Sequence, residues 1–120
     1  MILKNGSRFS DKTMVDQDAL DSFAATVRAC RICVENPIGK PLPHEPRPVL
    51  RPSSNARILI ASQAPGTKVH VTGMPFTDAS GDRLRSWLGV ASDEFYDIEK
   101  FAIVPMGFCY PGAGASGDRP

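Results

Sequence analysis

Short apolar runs alternate with amphipathic stretches along this chain. From Asp16, the residues Leu20, Phe23, Ala24 and Val27 fall at i, i+3, i+4 and i+7. That spacing predicts a helix with one apolar stripe, ending near Cys30. Asp16 and Asp18 stand near its start, where the helix dipole favours negative charge. Residues 34–55 break the pattern. They hold Pro37, Pro41, Pro43, Pro46, Pro48 and Pro52, six of the eleven prolines, which rules out a regular helix there. Proline lacks an amide hydrogen and restricts the residue before it. An ordered or semi-extended connector is expected, long enough to point to function or disorder.

Arg57 to Ala61 is predicted to be a buried strand, because Ile58, Leu59 and Ile60 form an apolar run bounded by loop residues. A loop from Ser62 to Ala79 follows. A second helix presents Leu84, Trp87 and Leu88, with Ser80 or Asp78 as its cap and Gly89 as its stop. Ser92, with Asp93 and Glu94, is expected to cap a short helical turn carrying Phe95 and Tyr96. Phe101 to Met106 reads as a second buried strand whose pairing stops at Pro105. Strands separated by helices imply an α/β fold with a parallel sheet and right-handed crossovers. In such sheets ligands gather at the carboxyl ends of the strands. The segments 62–79 and 105–120 leave those ends and are expected to face one crevice.

Composition narrows this picture modestly. A chain of 120 residues makes about one small domain. The net charge of +1 supplies no global attraction to nucleic acid, while leaving room for a local basic cleft. No apolar run approaches the roughly 20 residues that span a bilayer. The opening MILKNGSRFSDKT lacks the apolar core of a secretory signal. A cytoplasmic monomer without membrane contact is the expectation, with residues 1–14 as a flexible lead-in. Two evident strands leave apolar faces uncovered, so poor solubility is expected for this chain.

The candidate chemistry lies in the loops. Cys30 and Cys33, in CRIC, have metal-ligand spacing, and a redox pair or two ordinary thiols fit equally well. Cys109 adds a third thiol; a fourth ligand would have to be His44, His70 or a residue beyond Pro120. Gln63 ends the first strand in ILIASQAPG. Its amide cannot act as a general base, but it can orient water or a base edge, or simply bond the backbone. Pro65 and Gly66 make a rigid turn that lets a ligand approach the main chain. Phe76 is either a stacking platform or a core residue. His70 is either an acid–base group or a solvated loop histidine. Ser80 and Gly81 offer backbone amides for a phosphate, with Arg83 and Arg85 nearby or merely on a solvated face.

Taken in order, CRIC at 30–33, SQAPG at 62–66, GMPFTDASGDRLRSWL at 73–88 and VPMGFCYPG at 104–112 resemble the uracil-DNA glycosylase superfamily, most closely its iron–sulfur, family 4-like branch. The resemblance covers about 90 residues in order and spacing. It implies a three-layer α/β/α fold with a central parallel sheet, in which residues 15–120 are the N-terminal part of a single domain and the chain is truncated. It also implies DNA as partner, flipping of a deaminated base, and hydrolysis of its N-glycosidic bond. Gln63 then stands where the family places its water-positioning acid, and Phe76 where a residue stacks on the base. Ser62, Ala64, Pro65, Gly66, Ser80 and Gly81 complete the implied substrate-binding set. Cys30, Cys33 and Cys109 match three of the four ligands of a 4Fe-4S cluster. Two positions depart from the pattern. Gln63 replaces a glutamate, and Pro105 replaces the asparagine that reads the uracil edge. The alternatives are a nucleic-acid-binding module that has lost hydrolysis and a small α/β domain with a structural cysteine–metal site.

Overall fold

In a computed structural model, residues 16–114 and 117–118 are described. The expected lead-in, residues 1–14, lies outside them. Helix α1 spans Gln17–Arg28, and Asp16 caps it by accepting the Ala19 N–H at 2.8 Å. Its apolar stripe is only partly covered: Ala24 is buried, while Phe23 faces solvent. The short helix α2, Ile32–Glu35, follows at once, and no helix occurs between residues 36 and 55.

The connector nevertheless reaches the core. Val49 and Leu50 are buried. Val49 N–H donates to the Phe108 carbonyl, and Arg51 exchanges backbone bonds of 2.7 and 2.9 Å with Ile103. Proline density correctly excludes helix here, but it gives no hint of this strap, because Val49-Leu50-Arg51 is too short to carry a period.

Strand β1, Ile58–Ile60, pairs in parallel with strand β2, Phe101–Ile103, in the register Ile58–Phe101, Leu59–Ala102 and Ile60–Ile103. The chain is therefore α/β with a small parallel sheet. All of β2 is buried, as its apolar run predicts. The same expectation for β1 is corrected: Ile58 and Leu59 are 48% and 64% exposed. Strand β2 has β1 on one side and Arg51 on the other. Strand β1 has a partner on one side only among the described residues, and neither of its faces is covered like that of β2.

The expected loop 62–79 contains a helix, α3, Thr67–Thr72. Four of its six residues, Thr67, Val69, Val71 and Thr72, are β-branched, a composition that discourages helix. Its boundaries instead come from Gly66 at the N-cap and from Gly73, whose φ of 75° gives a left-handed C-cap. Helix α4 runs from Ala79 to Leu88, and of the two expected caps Asp78 is the one used. Gly89, at φ 72°, ends it. Helix α5, Ser92–Phe95, has Ala91 at its N-cap position and no side-chain cap bond, so Ser92 does not cap it. A two-residue antiparallel pair, β3 (Ala113–Gly114) with β4 (Gly117–Asp118), closes the described chain. The buried side chains centre on Phe95 and Ile103, which are 0% and 1% exposed.

Candidate active site

Parallel pairing brings the carboxyl ends of β1 and β2 side by side, and two bonds carry the association past the strands. Val104 N–H donates to the Ile60 carbonyl at 3.0 Å, and Met106 N–H to the Ser62 carbonyl at 2.8 Å. Pro105 falls between them. The ladder does end at Ile103, but Pro105 does not end the association; its missing N–H is skipped. A Cβ added at Gly107 would sit 3.3 Å from the Ala64 side chain, so the two loops also touch beyond this point.

The crevice so formed is a cavity of about 490 Å³, within the range of small-molecule sites. Ser62, Gln63, Ala64, Pro65 and Gly66 line it along one side, Phe76 and Ser80 along another, and Pro105 faces it from the second strand end. The expected meeting of the two loops therefore occurs. Gln63 is exposed, and Pro65 is buried. Gly81 does not line the cavity. Its N–H is directed to the Asp78 carbonyl at 3.0 Å and to the Asp78 carboxylate at 3.3 Å, so it offers no vacant amide to a phosphate.

Gly81 has another part to play. A Cβ at this position would lie 1.9 Å from the Phe76 carbonyl oxygen, so only glycine admits the close approach of the Phe76 backbone. Phe76 itself has φ 62°, a left-handed conformation that is costly for a bulky residue. Its neighbours hold it there. Arg85 Nη1 donates to the Phe76 carbonyl at 3.0 Å, and the Phe76 ring meets Phe95 edge-on at 5.7 Å. The Arg85 guanidinium also lies 5.2 Å from the Phe95 ring centre and 5.7 Å from that of Tyr96. Tyr96 donates its hydroxyl to the Pro75 carbonyl at 2.5 Å, and burial keeps that phenol protonated by raising its pKa against the opposing pull of Arg85 and Arg51. Arg85, expected near a phosphate or on a solvated face, is instead a fixture of the cavity wall. The alternation of charge around Leu84 gave no sign of this, because at i, i+3 spacing Arg85 and Asp82 look like an ordinary surface pair.

His70 does not line the cavity. It lies with His44 and Tyr110 in an aromatic cluster with ring centres 4.5 to 5.6 Å apart. His44 Nε2 donates to the Tyr110 carbonyl at 2.9 Å, and Tyr110 OH is 3.0 Å from Thr67 Oγ1. His70 Nδ1 is buried with no partner. Burial, then His44, then Arg47 hold the His70 pKa below its ordinary value of 6.5.

The three cysteines are free, Cys33 exposed and Cys30 and Cys109 half-buried. Cys33 and Pro111 border a second cavity of about 350 Å³, and the Leu42 N–H donates to the Cys33 carbonyl. Burial raises the Cys109 pKa first, Cys33 adds to the rise, a backbone hydrogen bond from Arg47 works against it, and Cys30 adds a smaller increment. Cys30 and Cys33 thus lie within electrostatic reach of Cys109, and three thiols suit a metal or cluster in their donor chemistry. Among the described residues, however, no three His, Cys, Asp or Glu side chains are already gathered as a ligand set.

The family model described as the uracil DNA glycosylase superfamily matches residues 49–120, more than half of the chain. The match begins at the buried strap and includes both strands of the parallel sheet, the glutamine loop, Phe76 and Cys109. CRIC lies outside it.

Proposed function

Because the chain belongs to the uracil-DNA glycosylase superfamily, we propose that it takes a damaged base out of DNA and hydrolyses its N-glycosidic bond. The observation that carries this reading is the cavity at the joined strand ends, where Gln63, Phe76 and Pro105 come together from separate segments. Extrusion is required because the bond is shielded inside the base stack. Phe76 supplies a flat apolar surface for the extruded base, held rigidly by Arg85 and Phe95. Ser62 to Gly66 supply small side chains and accessible backbone against which a nucleotide can lie. Gln63 orients the attacking water through its amide, without taking a proton. Pro105 offers no side-chain hydrogen bond to a base edge, which favours a substrate other than uracil, such as hypoxanthine. The wider fold proposed is three-layered, with helices on both faces of a parallel sheet.

Cys30, Cys33 and Cys109 are proposed as ligands of an iron–sulfur cluster, a role supported by Cys30 and Cys33 lying close enough to Cys109 to act on its ionisation. When bound, such a cluster would brace the connector against the loop after β2. A brown protein with visible absorbance that is lost on chelation is expected; a colourless protein carrying zinc would overturn this assignment.

The function is tested by incubating the chain with single- and double-stranded DNA containing uracil or hypoxanthine and measuring the free base. Release is expected, hypoxanthine ahead of uracil. Gln63→Glu should raise it, because a carboxylate polarises the water more strongly than an amide. A second reading, a module that binds damaged DNA without cutting it, is favoured specifically by Gln63 and Pro105. Tight binding with no release, unchanged in Gln63→Glu, would establish it in place of the first.

A further inference from the structure

Among the described residues lining the cavity, Asp78 is the sole ionisable side chain. Its two carboxylate oxygens are differently employed. Oδ1 accepts from Ser80 Oγ at 2.6 Å and from the Gly81 N–H at 3.3 Å, which caps α4. Oδ2 accepts no hydrogen bond among the described residues. A cap needs one oxygen, and asparagine or serine caps as well as aspartate does. The charge adds a modest helix-dipole contribution at the start of α4, but the second oxygen has no structural employment among the described residues.

We infer that Asp78 is the catalytic carboxylate of this cavity, the group that takes the proton Gln63 cannot take. The inference rests on the proposed glycosylase reading. In the reaction, the bond from the sugar C1′ to the base nitrogen breaks, and its electron pair departs with the base. Positive charge develops on the sugar, opposite the Asp78 anion. The water oxygen forms the new bond to C1′, and its proton passes to Oδ2. The leaving base anion then takes up one proton, restoring the carboxylate, so that one water is consumed for each base released. Asp78 enters the cavity from a helix cap and not from the loop after β1. The loop after β1, residues 61–66, supplies a hydroxyl and an amide but no ionisable side chain.

Asp78→Asn separates the two roles, because it keeps the cap and removes the charge. Single-turnover release from the preferred base-containing DNA should fall by at least about 100-fold, the lower range for loss of a general base, with the melting temperature lowered by no more than a few degrees through loss of the charge at the helix start. Release within about threefold of the parent would overturn the assignment. Asp78→Ser, which also caps without charge, repeats the test should the amide fail to fold. A second measurement distinguishes failure of the assignment from failure of the glycosylase reading. DNA carrying a cationic pyrrolidine in place of the sugar is compared with DNA carrying a neutral tetrahydrofuran. The parent chain should bind the cation at least about tenfold more tightly, and Asp78→Asn should lose that preference even if the parent releases no base. Equal binding of the two by the parent, or a preference that survives in Asp78→Asn, would overturn the role of Asp78 whatever the release assay gives.

Discussion

At the scale of single residues, Gly81 shows how a site can depend on an atom that is absent. In a helix, Gly→Ala ordinarily gains about 1 kcal/mol. At position 81 the added methyl would meet the Phe76 carbonyl oxygen at 1.9 Å, and that atom is backbone, which cannot swing aside. Gly81→Ala is therefore expected to reverse the ordinary sign and destabilise by about 1–3 kcal/mol, as overpacked sites do, and to move Phe76. Chemical denaturation measures the first effect, and the near-ultraviolet dichroism of the aromatic group measures the second. The sequence marked Gly81 for a different reason, its amide, because the turn that brings Phe76 over it is a matter of one positive φ and leaves no periodic trace. His70 was legible only as a histidine. Its folded pKa is lowered, with His44, Arg47 and Tyr110 around it. Above pH 6.5 the imidazole is neutral folded and unfolded, so it adds no pH dependence. As pH falls below 6.5 the unfolded chain takes the proton first, and stability is lost until the folded pKa is passed. Melting temperature should fall over that window, and less so in His70→Gln.

At the scale of elements, the two strands present nearly the same apolar triplet and meet different fates. Ile-Leu-Ile and Phe-Ala-Ile each specify a short extended run. Which of them is buried depends on what flanks it, and that is set by the strap at Val49–Arg51, more than fifty residues upstream of Ile103. Ile103→Ala should cost about 2–5 kcal/mol, the range for deleting buried aliphatic atoms, whereas Leu59→Ala should cost under about 1 kcal/mol. Urea titrations of both variants check the contrast. The helical pattern of α1 and α4 was legible because amphipathic period and caps agreed. Helix α3 was hidden because its residues disfavour helix and only its flanking glycines define it. The meeting of the strand-end loops could be read from topology alone, since parallel strands place like ends together. The inward turn of Arg85 could not, because it depends on the rotamer of one long side chain.

Across the whole molecule, the radius of gyration of 16.6 Å exceeds the roughly 13–14 Å of a compact domain of this length. Apolar surface remains in contact with solvent, Trp87 at 76% exposed among it. The native chain should therefore enhance the fluorescence of a hydrophobic dye such as ANS. Trp87→Lys together with Leu59→Lys should lower that signal without lowering the melting temperature. The Arg85 wall has a consequence of its own, in time and not in space. The contacts of Arg85 itself come from residues 76–96, with Phe76, Asp82, Phe95 and Tyr96 all within one short stretch, while Arg51 and Phe101 add contacts to Tyr96 and Phe95 from outside it. The cavity floor instead requires Ser62 to find Met106, and Arg51 to find Ile103, across forty or more residues of chain. Closing short loops costs less entropy than closing long ones, so the wall assembles first and the floor is laid against it. In pulsed hydrogen exchange during refolding, the amides of Gly81, Phe95 and Tyr96 should become protected before those of Val104 and Met106.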